Sequence, residues 1–123
     1  MQGDGESIAL KLANGVEAFN RQDFFTSHDL LEDVWMDVRG EERRFFQGLV
    51  QLAIGYYHQS CENPTGARNL LGRGLDKLAG WPPSHRGLDV ASLTEAVAAS
   101  LSALDQGTQD PGFPEIRKAG REE

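Results

Sequence analysis

The stretch Glu41-Glu-Arg-Arg-Phe-Phe-Gln-Gly-Leu-Val-Gln-Leu-Ala-Ile-Gly-Tyr-Tyr-His-Gln-Ser60 decides the fold. Its apolar residues recur at three- and four-residue steps, the spacing of a helix. Phe45, Leu49, Leu52 and Tyr56 line one side, and Phe46, Val50, Ile54 and Tyr57 carry that surface round the cylinder. A helix apolar over so much of its circumference is enclosed by other helices, so this one is expected at the centre. Glu41 and Glu42 open it, where carboxylates suit the positive end of the helix dipole. Gly48 and Gly55 fall on one face. Each costs about 1 kcal/mol of helix propensity relative to alanine, so they mark a close helix contact, inside the chain or with a second copy.

Working outward, the segment before it reads as a helix from Phe24 to Val38, with Asp23 as N-cap, Gly40 as terminator and Phe24, Leu31, Trp35 and Val38 as its stripe. A first helix is expected over Ser7–Asn20, with Ile8, Leu12, Val16 and Phe19 on one face. On the other side, Asn63 as N-cap and Pro64 at the first helical position start a fourth helix that runs to Leu78. Gly80-Trp-Pro-Pro83 stops it, and a loop carrying His85 as a surface residue follows. The fifth helix is expected from Asp89 or Ser92, with Val90, Leu93, Val97, Leu101 and Leu104 as its stripe. No strand alternation of useful length occurs. From Asp105 the chain is poor in apolar residues, although Phe113 and Ile116 can dock as an extended arm, and 118–123 is expected to fray. The reading is all-α: a single-domain bundle of about five helices with antiparallel neighbours. Its ordered core is placed at 7–104 and its arm at 105–123.

Composition narrows the function classes. The 123 residues fit one domain, and the lone Cys61 excludes an intramolecular disulfide. No apolar run approaches the roughly 20 residues of a membrane span. The N-terminal Met1-Gln-Gly-Asp-Gly-Glu6 has no signal-peptide pattern, so a cytoplasmic chain is expected. A net charge of -7 repels a phosphate backbone, which sets nucleic-acid binding aside. A homo-oligomer through the Gly48/Gly55 face and an unspecified small-molecule ligand stay open.

The residues with chemistry to offer lie on the second and third helices. On a helical wheel His28 and Glu32 fall inside the apolar arc, between Trp35 as an aromatic wall on one side and Phe25 and Met36 on the other. A buried glutamate requires a partner, and a His and a Glu four apart are neighbours on one face. Arg44, Gln47, Gln51 and His58 project in one direction from the third helix. If that strip faces the second helix, the two enclose a polar pocket in which His28, Glu32 and His58 can bind a divalent metal, with water in the open position. Glu32 or Asp29 then handles a proton. The same residues are equally consistent with a buried hydrogen-bond network that fixes helix register, with Arg44, Gln47 and Gln51 as a solvated face. The string His28-Asp-Leu-Leu-Glu32 lacks the second histidine of a His-Glu-x-x-His zinc site.

Phe19-Asn-Arg-Gln-Asp-Phe-Phe25, Ser27-His-Asp-Leu-Leu-Glu32, Trp35, Phe45-Phe-Gln-Gly-Leu-Val-Gln51, His58, Asn63-Pro-Thr-Gly-Ala67 and Leu70-Leu71 together resemble the small helical family catalogued as domain of unknown function 309, over about Ala18 to Leu104. The resemblance implies an all-helical fold, and some descriptions of the family call it a predicted metal-dependent hydrolase. Carried over, the family pattern falls on His28, Glu32, Gln47, Gln51 and His58, with Asp29 where the family usually has glutamate. Two expectations follow: metal-dependent hydrolysis at a site between the second and third helices, or a non-enzymatic binding and assembly domain with a structural His/Glu/Gln/Arg network.

Overall fold

Three helices begin where a side chain takes over an orphaned amide of the first turn. Asp23 accepts from the Thr26 amide at 3.3 Å, Asn63 from the Gly66 amide at 3.0 Å, and Asp89 from the Ser92 amide at 3.0 Å. The computed structural model describes residues 4–108 and 111–120, with the side chains from residue 7 onward. The helices are α1 (Asp4–Asn20), α2 (Phe24–Asp37), α3 (Glu42–Ser60), α4 (Pro64–Leu78) and α5 (Val90–Asp105). The fold is all-α, and α1 starts at Asp4, three residues before the expected Ser7. Asp89 resolves the two expected starts of α5, because it is the cap itself. No helix among the described residues is long and apolar enough to cross a membrane.

Each helix packs on its neighbour in sequence, and α3 lies between α2 and α4. The α3–α4 seam is set by glycines. A Cβ on Gly55 would stand 2.7 Å from Leu71 Cδ2, and one on Gly74 would stand 2.9 Å from the Gly48 carbonyl oxygen. The close face marked by Gly48 and Gly55 is therefore occupied by α4, not by a second copy. On the other side, Ser27 Oγ donates to the Gly15 carbonyl at 2.8 Å and ties α2 to α1. The core runs through Phe19, Phe24, Leu31, Val34, Phe45, Phe46, Leu49, Leu52, Tyr56, Leu71 and Val97, each at most 2% exposed. Burying one such side chain stabilises the fold by roughly 1.5–3 kcal/mol. Tyr56 pairs its hydroxyl with Ser100 Oγ at 2.8 Å, and burial pushes that phenol up to about 12.

Two features depart from the sequence reading. A short hairpin, β1 (Ser84–His85) and β2 (Leu88–Asp89), interrupts the supposed loop, turning at Arg86 (φ 53°) and Gly87 (φ 75°). Two-residue strands carry no alternation to read. The chain after α5 then returns along this hairpin: Leu88 bridges Lys118, and the Ala119 amide donates to the Gly87 carbonyl at 2.8 Å. Lys118 and Ala119 are thus paired rather than frayed, and residues 121–123 lie outside the described residues. Asn20 holds the arm by both backbone groups of Ile116, donating at 2.9 Å and accepting at 2.7 Å. Phe113 rests on Phe24 with ring centroids 5.0 Å apart.

Candidate functional site

The face that α2 turns to the core is Phe24, Ser27, Leu31, Val34 and, just past the helix, Val38. This rotates the helix away from the arc drawn on the sequence. Phe25 and Met36, which bounded that arc, are more than half exposed. Ser27 is the buried polar residue instead, because a small hydroxyl fits the tight α1–α2 approach and finds a carbonyl there. His28 and Glu32 therefore sit on the border of the core, not within it. The His28 side chain is 22% exposed and that of Glu32 43%.

On this border the imidazole lies between two carboxylates. Nδ1 is 3.4 Å from Asp29 Oδ1 and Nε2 is 3.6 Å from Glu32 Oε1. One ligand-type atom from each of His28, Asp29 and Glu32 falls within 4.8 Å of the others. Zinc binds such atoms at about 2.0–2.2 Å, so ligands on one ion stand roughly 3–4.4 Å apart. The Nε2–Glu32 and Nδ1–Asp29 separations already lie in that range, on opposite nitrogens of the ring. Phe25 flanks the imidazole at 5.8 Å between ring centroids and also meets Tyr57 of α3 at 5.7 Å.

The other expected members go elsewhere. His58 sits at the α3–α4 turn, with Nδ1 3.3 Å from the Asn63 side-chain nitrogen. Arg44 donates to the Asp76 carbonyl at 3.2 Å and to its carboxylate at 3.3 Å. Gln51 accepts from Lys77 Nζ at 3.2 Å. Gln47 is half-buried on the same helix. The polar strip of α3 is thus engaged by α4 at Arg44, Gln51 and His58, and the two polar sets do not close into one pocket. Trp35 is half-buried beneath Arg43, whose guanidinium lies 4.2 Å from the ring centroid.

A second histidine–carboxylate cluster escaped the sequence reading. Glu42 accepts from His85 Nε2 at 2.8 Å and from Arg86 at 2.6 and 2.9 Å. His85 packs on Phe45 and Trp81, with centroids 4.6 and 4.7 Å away, so it is not the surface residue expected. The Arg86 hydrogen bonds, aided by His85, hold the Glu42 carboxyl below its ordinary value against the opposing effect of burial. The Pro82-Pro83 pair and Gly87 marked a loop there, but nothing in it pointed to Glu42.

The sequence matches the family described as "Domain of unknown function (DUF309)" over residues 12–70, from α1 into α4. Residues 12–70 of this chain are a DUF309 domain. The chain is 33% identical over 96 residues to the uncharacterized protein YpuF of Bacillus subtilis. It is 29% identical over 98 residues to an uncharacterized protein of Aquifex aeolicus. Those matches cover 73% and 79% of this chain but 53% and 28% of the relatives, so the chain spans about half or less of their lengths. The DUF309 match contains both the His28–Asp29–Glu32 cluster and Glu42 of the second one, while His85 and Arg86 lie beyond it.

Proposed function

We propose that this DUF309 domain holds a divalent transition-metal ion on the border face of α2, through His28 Nε2 and Glu32, and that its activity is exercised there. The observation that carries the reading is the convergence of His28, Asp29 and Glu32 within 4.8 Å. An imidazole and a carboxylate four residues apart on a rigid helix form a pre-organised chelate. Asp29, beside Nδ1, can orient the ring as carboxylates commonly do for ligating histidines, or serve as a third ligand. Imidazole with carboxylate oxygen favours zinc, manganese or nickel over calcium. A bound ion would supply a Lewis acid to a carbonyl or phosphoryl oxygen, the chemistry of a metal-dependent hydrolase. Asp29 and Glu32, both reaching solvent, are the groups available to take a proton from water.

The test is metal content by elemental analysis of purified protein, together with thermal melts in zinc, manganese and nickel. One ion per chain is expected, lost in the His28→Ala, Glu32→Gln double variant. Added ion at about 100 times Kd should raise stability by about 2.7 kcal/mol in the parent alone. Metal-free protein that gains no stability from any of the three ions would end this reading.

A further inference from the structure

We propose that the outer face of α2 is a docking surface for an arginine-bearing, amphipathic segment of a partner protein. Four large apolar side chains are exposed among the described residues: Leu10, Phe25, Met36 and Tyr57. Phe25 and Met36 are 56% and 59% exposed, and Tyr57, beside Phe25, is 38% exposed. Eleven residues are close to three helical turns, so Phe25 and Met36 point the same way, about 16 Å apart along the axis. Two apolar anchors at that spacing match one stripe of an amphipathic helix laid alongside.

The ground between the anchors carries charge of one sign. α2 has four acids, Asp29, Glu32, Asp33 and Asp37, and no lysine or arginine. Asp29 and Asp33 are exposed, Glu32 is half-exposed, and Asp33 makes no ion pair among the described residues. Of the nearby cations, Lys11 pairs with Asp37 at 3.1 Å, Arg21 pairs with Asp23 at 3.9 Å, Arg43 lies over Trp35, and Arg39, just past the helix, is exposed; none of them pairs with Asp29, Glu32 or Asp33 among the described residues. A complementary occupant must therefore bring its own cations with its apolar side chains. Guanidinium fits best, because it stacks on exposed rings such as Phe25 and Tyr57 and bonds carboxylates two at a time. The same carboxylates repel nucleic acid and anionic lipid, which leaves a basic protein segment as the occupant.

This inference does not depend on a bound ion, so it is tested in chelator. The probe is a 15-residue synthetic amphipathic peptide with leucines on one stripe and four arginines beside it, added to 15N-labelled protein, with a glutamate-for-arginine peptide as control. Shifts confined to residues 24–36 and the region of Tyr57, with the arginine peptide bound about tenfold or more tighter than the control, are expected. Phe25→Ser should weaken binding about tenfold, and Asp29→Asn with Asp33→Asn should flatten its salt dependence. Unchanged melting of these surface variants will show that the fold is intact. Shifts on another face, or equal binding of the two peptides, would overturn the proposal. So would self-association in sedimentation that Phe25→Ser abolishes, since a second copy would then be the occupant.

Discussion

Two histidines of this chain each meet carboxylate, and their surroundings differ in every other respect. His85 donates to Glu42 at 2.8 Å, its ring is held between Phe45 and Trp81, and Arg86 completes the carboxylate with two further bonds. His28 stands 3.4 and 3.6 Å from its two carboxylates, at distances too long for good hydrogen bonds, with solvent on one side. The first cluster has its partners already in place and fixes the hairpin to the start of α3. The second retains unused ligand atoms. The same residue types make a clamp where geometry is short and saturated, and a candidate binding site where it is long and open.

Removing the hub of the clamp should have the largest effect. Glu42→Ala leaves Arg86 and His85 without their acceptor and is expected to cost about 1–2 kcal/mol, read as a fall of several degrees in Tm. A Tm within a degree of the parent would mean that the hairpin is held by the arm and the aromatic packing alone. His85→Ala should cost about 1 kcal/mol, chiefly from lost contact with Phe45 and Trp81. Chemical denaturation of that variant should show a lower midpoint at unchanged slope.

The clamp should also respond to acid. Glu42 is held below its ordinary value of 4.5, so the folded state binds its proton less readily than the unfolded chain does. Its contribution is present above 4.5 and is lost as pH falls through the lower folded value. Melts of the parent and Glu42→Gln between pH 6 and about 3 should therefore converge toward the acid end. The smallest effect belongs to the open cluster. In metal-free buffer, His28→Ala and Glu32→Gln should each change stability by about 0.5 kcal/mol or less, as surface substitutions do. A loss as large as that of Glu42→Ala would make the α2 cluster a second clamp and erase the contrast.

Much of this arrangement is legible residue by residue. Asp23 and Asn63 announce helix starts because their side chains accept from amides three residues on, and Pro64 does so because its fixed φ and missing N–H suit the first helical position. Gly48 and Gly55 declare a close contact because only a missing Cβ admits one, although the sequence cannot name the neighbour. The rotation of α2 is harder to read. Phe25 and Met36 look like core residues by type, and Ser27 looks like surface, yet Ser27 is buried against the Gly15 carbonyl of α1 and the other two stay outside. With that rotation His28 and Glu32 sit on the border of the core, while Arg44 and Gln51 pair with α4 and His58 with its cap Asn63. The Glu42–His85 contact spans 43 residues and a two-residue hairpin, with no periodicity to signal it.

By itself, the sequence determined the five helices, the caps at Asp23 and Asn63, the central place of α3 and the lack of an internal disulfide. Those properties follow from local backbone chemistry and from the amount of apolar surface each segment must bury. Tertiary structure alone decided that the glycine seam belongs to α4 and that the arm returns along the hairpin. It also decided that His28 groups with Asp29 and Glu32 while His58 turns to Asn63. Helix rotation and long-range pairing come from competition among whole faces for one core, and no residue's own preference fixes the outcome.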